Sequence, residues 1–102
     1  HAAEHLGVIN PIPYRAVSLS TAYGPNSMVA SVNFAFGGSG VFPTFGPAYP
    51  NISTQINQFK GLLRKKFISA ALIKSSIVLL VIAGNDYSSY SNQNPNNQVC
   101  RF

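Results

Sequence analysis

The stretch Ser76-Ile77-Val78-Leu79-Leu80-Val81-Ile82-Ala83-Gly84-Asn85-Asp86-Tyr87 decides the fold that this chain predicts. Residues 77–82 are six consecutive branched apolar residues, too few for a membrane span and too uniformly apolar for a half-exposed strand. Strands with such continuous apolar runs are typical of parallel sheets whose two faces are covered by helices. The sequence therefore predicts a buried parallel strand over 77–82 and an α/β fold class.

Two short polar side chains, Asn85 and Asp86, follow this predicted strand after a turn through Ala83 and Gly84. In open α/β sheets, ligands bind at the carboxyl ends of the strands, and this position favours a functional role for the pair. The alternative is that Gly-Asn-Asp is only a turn, because all three residue types are turn formers. Both interpretations are open on the evidence of this stretch alone.

Length and composition limit the chain to one domain at most. It has 102 residues, of which 46% are hydrophobic and 9% are charged, whereas ordinary domains have about 25% charged residues. So apolar a chain is expected to be covered by other segments. It begins with His1 rather than Met, and we expect it to be a piece of a longer protein.

The net charge of +5 comes from seven Lys and Arg residues against Glu4 and Asp86. The basic residues cluster only at Arg64-Lys65-Lys66, with Lys60 one turn earlier. A basic run at the end of a predicted helix is explained by the helix dipole. We therefore expect no nucleic-acid partner.

Metal, cofactor and membrane signals are weak. Cys100 is the single cysteine, and His1 and His5 have no third ligand near them, so neither a disulfide within the chain nor a metal or cofactor is expected. No apolar run approaches the roughly 20 residues of a spanning helix, and Lys74 interrupts the most apolar region. The first residues have no signal-peptide pattern.

The first half of the chain is predicted to contain one strand. Residues 2–7 are typical of a helix end with Gly7 in the left-handed conformation, and the prolines of 10–14 favour an extended connector. Residues 15–28 are predicted to be a loop. A strand over 29–35 then runs into Gly37-Gly38-Ser39-Gly40. A phosphate-binding loop is not expected, because neither glycine-rich nucleotide-binding pattern occurs.

The second half is predicted to be mainly helical before the buried strand. Residues 41–50 are expected to form a packed surface loop, followed by a helix over about 53–66 with Ser53 or Asn51 as its cap. Its apolar face is predicted from steps of four, three and four residues at Ile52, Ile56, Phe59 and Leu63. A short helix over 67–73 and an irregular or frayed helical tail over 88–97 complete the prediction. Strand, glycine loop, helix and buried strand would form one βαβ unit.

Two motifs resemble blocks of a known family. Val32-Asn33-Phe34-Ala35-Phe36-Gly37-Gly38-Ser39-Gly40-Val41 resembles the second block, NFA-x-GG-x-G, of the GDSL esterase/lipases, the plant branch of the SGNH hydrolases. Ile82-Ala83-Gly84-Asn85-Asp86-Tyr87 resembles their third block, GxND, and Gln55-Ile56-Asn57-Gln58-Phe59 matches the helix between them. The resemblance covers residues 3–90, with a divergent tail at 91–102. It implies that residues 1–102 are part of an SGNH-type three-layer α/β/α domain with a parallel sheet.

The resemblance also implies a site. In this family an oxyanion hole is formed by the backbone N–H of the nucleophilic serine, the N–H of the glycine that matches Gly38, and the side-chain amide that matches Asn85. The Gly-Asp-Ser block would lie before residue 1 and the Asp-x-x-His block after residue 102. The chain would then hold part of an oxyanion hole and no catalytic triad.

Function, substrate and location follow from the resemblance as expectations. The implied function is that of a segment of a serine ester hydrolase acting on a small-molecule ester or a lipid, without a cofactor. Family habit implies secretion, and Asn51-Ile52-Ser53 would then be a glycosylation site. The alternative is a truncated, non-catalytic product with at most a protein-association role. The sequence indicates no particular oligomeric state.

Overall fold

The computed structural model describes residues 2–23 and 29–96. In chain order the elements are α1 (Ala2–His5), β1 (Ile12–Pro13), α2 (Tyr14–Leu19), β2 (Val32–Asn33), α3 (Ile52–Arg64), α4 (Ala70–Ile73) and α5 (Gly84–Gln93). The two strands pair in parallel, with Ile12 opposite Val32. These helices and the parallel pair make the described chain a partial α/β structure.

The chain divides into two compact units. Unit 1 comprises His1–Ala35 and Ile56–Val78, and unit 2 comprises Phe36–Gln55 and Leu79–Phe102. Helix α3 contributes its first turn to unit 2 and the rest to unit 1.

Unit 1 contains a small apolar core of Val17, Val29 and Leu62, which are 1–4% exposed. Partly buried side chains pack against it, among them Tyr14 and Phe34, whose rings stack at 5.4 Å. The predicted helix over 53–66 is confirmed as α3, but the residue that it buries is Leu62, whereas Ile56 is 46% exposed. The stepwise pattern identified the helix and missed its most buried position.

The predicted loop over 15–28 is wrong in its first part. Residues 14–19 form α2, which begins after Pro13 and places Val17 in the core. The fixed φ of Pro13, −55°, suits the residue before a helix, and Val17 is the one residue of this short helix that is buried. Residues 24–28 lie outside the described residues.

The predicted strand over 29–35 is confirmed only at Val32–Asn33. Its partner is β1 rather than the run 77–82, so the predicted βαβ unit is not formed by the described residues. Within the extended connector predicted over 10–14, Ile12–Pro13 form a strand because the Ile12 N–H donates to the carbonyl of Ser31 at 3.1 Å, whereas Tyr14 begins α2.

The prediction of a buried strand over 77–82 is also wrong. Ile77, Val78, Leu79, Leu80 and Val81 are 63–85% exposed, and residues 77–82 lie in neither a helix nor a strand. Their backbone groups make no hydrogen bond with any other described residue. A strand buried on both faces needs flanking strands and two helical layers, and the described residues contain only two strands of two residues each.

Several local predictions are confirmed. Gly7 has φ 63° after the end of α1, and α4 lies within the predicted short helix. Residues 41–50 form a loop without helix or strand. The prediction of an irregular or frayed helical tail over 88–97 is wrong for residues 88–93, which belong to α5, a helix whose first turn is Gly-Asn-Asp.

Within residues 2–23 and 29–96, none of the helices has the length and apolarity needed to cross a bilayer. The same residues contain no group of three or more metal-ligating side chains. His1 and Cys100 lie outside the described residues.

Candidate functional site

The glycine motif of unit 2 forms a tight turn. Ser39 N–H donates to the carbonyl of Phe36 at 3.1 Å, which closes a four-residue turn with Gly38 at its third position. Gly38 has φ 85°, a conformation that favours glycine at this position of a turn. No hydrogen bond within the described residues uses the Gly38 N–H.

Gly38 is also required by close packing. A methyl group at this position would lie 2.6 Å from Cδ1 and 2.9 Å from Cε1 of Tyr49. The Tyr49 ring is itself held between Phe36 and Phe45, at centroid distances of 6.1 and 6.0 Å. The ring therefore has little freedom to move away from a side chain at residue 38.

We expect Gly38→Ala to destabilise unit 2 more than Gly37→Ala or Gly46→Ala. A left-handed backbone costs a non-glycine residue about 1–2 kcal/mol, and the overlap with Tyr49 adds to that cost. Gly46→Ala, with φ 93° and open space around it, isolates the backbone cost, and Gly37→Ala, with open space and no positive φ, is the matched control. Urea unfolding of the three variants tests this order, and equal loss in all three would contradict it.

Asn85 lies in the first turn of α5, a helix that begins directly after a residue of unusual backbone conformation. Ala83 has φ 84°, a strained value for a residue with a side chain. The Asn85 amide Nδ2 donates to the carbonyl oxygen of Ser39 at 2.6 Å. Because Ser39 follows Gly38 in the chain, the structure brings the two sequence-predicted site residues into one cluster within unit 2.

Ser39 is engaged on its other side by the start of α3. Its hydroxyl donates to the carbonyl of Pro50 at 2.7 Å and accepts from Gln55 Nε2 at 3.1 Å. Ile52 N–H donates to the carbonyl of Gly40 at 3.0 Å. This hydroxyl is committed to a carbonyl, and the described residues of unit 2 include no histidine to activate it as a nucleophile.

The sequence favoured a functional role for Asn85 and Asp86 as a pair without indicating what the carboxylate contacts, and the Asp86 side chain makes more hydrogen bonds than any other side chain in the cluster. Its carboxylate accepts from Val41 N–H at 2.9 Å, Phe42 N–H at 3.0 Å and the Thr44 hydroxyl at 3.0 Å. The bonds from Phe42 and Val41 lower the pKa of Asp86 below its ordinary value of 3.8. The signal for this role was the short acidic side chain directly after Asn85.

Asn51 caps α3, as one of the two alternatives predicted. Its Oδ1 accepts from the N–H and the hydroxyl of Thr54, both at 3.0 Å. Glycosylation at this residue stays a prediction.

The described helices and strands make this a partial α/β protein. Its glycine turn and its Asn-Asp pair form one hydrogen-bonded cluster. No protein-family model matches the chain, and no solved structure matches it.

Curated relatives then place the chain among known proteins. It is 37% identical over 89 residues to GDSL esterase/lipase At3g09930 of Arabidopsis thaliana, covering 86% of this chain and 24% of the relative. GDSL esterase/lipase At5g03610 of the same plant is 38% identical over 89 residues, which cover 86% of this chain and 24% of the relative. GDSL esterase/lipase At2g36325, also of that plant, is 35% identical over 96 residues, which cover 92% of this chain and 26% of the relative. The chain is related to the GDSL esterase/lipases of plants, and it spans about a quarter of the length of these relatives.

Proposed function

We propose that this chain supplies two hydrogen-bond donors to the oxyanion hole of a serine ester hydrolase: the backbone N–H of Gly38 and the side-chain amide of Asn85. The observation that carries the proposal is the 2.6 Å hydrogen bond from Asn85 to Ser39, the residue after Gly38. It joins two motifs that lie 46 residues apart in the chain.

The chemistry of ester hydrolysis explains why these two groups suit the role. Attack on an ester carbonyl develops negative charge on its oxygen, and preorganised donors at that oxygen are usually the largest catalytic term. The Gly38 N–H is not used by any other described residue. The Asn85 amide has two N–H bonds and the hydrogen bond to Ser39 uses one, which leaves one for a ligand.

The remaining catalytic groups are assigned to other parts of a longer protein. The nucleophilic serine and the Asp-x-x-His base would lie outside residues 1–102, in an SGNH-type three-layer domain of which this chain is part. The substrate would be a small-molecule ester or a lipid. Secretion and glycosylation at Asn51 belong to the same proposal.

The exposed run 77–81 agrees with this assignment. Five apolar side chains that are 63–85% exposed, on a backbone without hydrogen-bond partners among the described residues, are what a central strand would present without its neighbours. In the longer protein these residues would be covered.

A hybrid enzyme tests the proposed function. The stretch of GDSL esterase/lipase At3g09930 that matches this chain is replaced by the residues of this chain, after the parent has been shown to hydrolyse a p-nitrophenyl ester. We expect the hybrid to keep hydrolysing that ester, because it receives equivalent oxyanion donors in the same places. A hybrid that folds like its parent, as judged by circular dichroism and thermal unfolding, but has lost all turnover would contradict the proposal.

The second candidate is a non-catalytic product that associates with other proteins. The same exposed run 77–81 favours it, because unpaired apolar strand-forming residues promote association. The non-catalytic product is distinguished from a hydrolase segment by its reading frame, which would contain neither the Gly-Asp-Ser block nor the Asp-x-x-His block.

A further inference from the structure

The loop over residues 41–44 is held by one carboxylate. Oδ2 of Asp86 accepts from Val41 N–H, and Oδ1 accepts from Phe42 N–H and from the Thr44 hydroxyl. Hydrogen bonds to an ionised acceptor are roughly twice as strong as neutral ones. Three such bonds to one side chain fix the path of the chain immediately after the glycine turn.

Gly40 shows how closely the carboxylate approaches the loop. A methyl group at Gly40 would lie 2.6 Å from both oxygens and 2.8 Å from Cγ of Asp86. Gly40 is buried and does not have a positive φ. The requirement for glycine at residue 40 therefore comes from the carboxylate above it and not from the backbone conformation.

Two consecutive side chains at the start of α5 thus bind two consecutive parts of one loop. Asn85 binds the carbonyl of Ser39, and Asp86 binds the amides of Val41 and Phe42. On the other side the loop is fastened to the start of α3 through the carbonyl of Gly40. Gly38 lies directly before the segment that these contacts hold.

An amide side chain at residue 86 could not accept the same hydrogen bonds as the carboxylate. Asp86 uses both oxygens as acceptors, whereas asparagine would offer one acceptor and turn an NH₂ group toward a backbone N–H. Asp86 is also the one acidic or basic side chain among the described residues of unit 2, residues 36–55 and 79–96, apart from tyrosines. The hydrogen bonds rather than an ion pair therefore stabilise its charge.

We propose that Asp86 is a positioning residue that holds the glycine loop so that the Gly38 N–H and the Asn85 amide address the same substrate oxygen. The proposal rests on the oxyanion role proposed above. Asp86 touches no reacting atom in it. The carboxylate acts through the backbone of residues 39–42.

A nuclear magnetic resonance titration of the 102-residue chain tests the contacts without any activity. As the pH falls from 7 to 2, we expect the amide proton shifts of Val41 and Phe42 to change together, with a midpoint below 3.8, the ordinary pKa of an aspartate. Because the folded-state pKa is lowered, the stabilising effect of the charge is present above that ordinary pKa and is lost as the pH falls through the lowered one. The other titratable side chains among the described residues of unit 2 are the tyrosines Tyr49, Tyr87 and Tyr90.

Asp86→Asn is the test variant for the titration, and Glu4→Gln, which removes the same charge from α1 in unit 1, is its control. We expect the titration of the two amides to disappear in the first variant and to persist in the second. If the two amides do not titrate, or titrate equally in Asp86→Asn, the proposed contacts are overturned.

The hybrid enzyme tests the positioning role. Because a misplaced loop weakens donors that act in the transition state, we expect Asp86→Asn to lower kcat about 10- to 100-fold with little change in KM. Gly40→Ala should lower kcat by a similar factor when Asp86 is present. In an Asp86→Ala background it should lower kcat no further, because the new methyl group meets no carboxylate there. Additive losses, or an unchanged kcat, would overturn the role.

The two experiments separate the two proposals. An inactive but folded hybrid contradicts the oxyanion proposal, and with it the catalytic purpose of Asp86, while the titration still reports whether Asp86 holds the loop. An active hybrid whose kcat is insensitive to Asp86→Asn contradicts the positioning role alone.

Discussion

Asn85→Ala in the hybrid enzyme is expected to lower kcat for ester hydrolysis by about 100- to 1,000-fold, the usual loss for one oxyanion donor. The reason is that the amide hydrogen bond strengthens as charge develops on the carbonyl oxygen, so its removal affects the transition state more than the bound ester. KM should therefore change little. Steady-state kinetics with a p-nitrophenyl ester measure both constants.

The control for this variant is Asn57→Ala, which removes an amide from an exposed position of α3. It should leave both constants unchanged. Because Asn85 also binds the carbonyl of Ser39, the loop could shift when the side chain is removed. Asn85→Gln, which keeps an amide donor on a longer side chain, should recover part of the lost kcat. A folded Asn85→Ala hybrid with the kcat of the unsubstituted hybrid would contradict the donor role.

The 102-residue chain by itself is expected to leave ester hydrolysis at the uncatalysed rate. Its Ser39 hydroxyl donates to the carbonyl of Pro50, and the two histidines of the chain, His1 and His5, lie in no Asp-x-x-His pattern. Donors to an oxyanion accomplish little when no activated nucleophile forms one. A p-nitrophenyl ester assay and labelling with a fluorophosphonate, which reacts with activated serines, both measure this.

The assay requires a highly purified sample of the 102-residue chain, because a trace of a contaminating esterase would mimic activity. The Asn85→Ala chain, purified in parallel, is the control. Equal background rates in the two samples agree with the expectation. Turnover in the unsubstituted chain that Asn85→Ala abolishes would show that the chain carries a catalytic site of its own.

The sequence singled out Gly38 and Asn85, because each lies in a short local motif. It predicted neither the tight turn at Gly38 nor the helix that begins at Gly84. The pairing of the two motifs came from the family resemblance, and the structure places Gly38 and Asn85 in one unit. The role of Asp86 was missed because three of its bonds reach residues more than 40 positions away.

The fold was predicted less well, since it depends on partners distant in the chain. Six branched apolar residues at 77–82 have a strong strand preference, but strand structure requires a neighbour to receive the backbone hydrogen bonds. Val17 shows the opposite case: a segment rich in polar and turn-forming residues forms helix α2, and Val17, the one side chain of that helix that is buried, fills the core of unit 1. Tertiary contacts decided both outcomes.

Sequencing the complete transcript on both sides of the codons for Val32 to Tyr87 tests the central claim most directly. The claim is that this segment supplies oxyanion donors to a hydrolase whose serine and Asp-His pair are encoded elsewhere in the same frame. We predict an in-frame Gly-Asp-Ser block upstream and an in-frame Asp-x-x-His block downstream. A frame that closes near Phe102 and contains no serine block upstream would contradict the claim and leave the relationship to the GDSL esterase/lipases as one of ancestry.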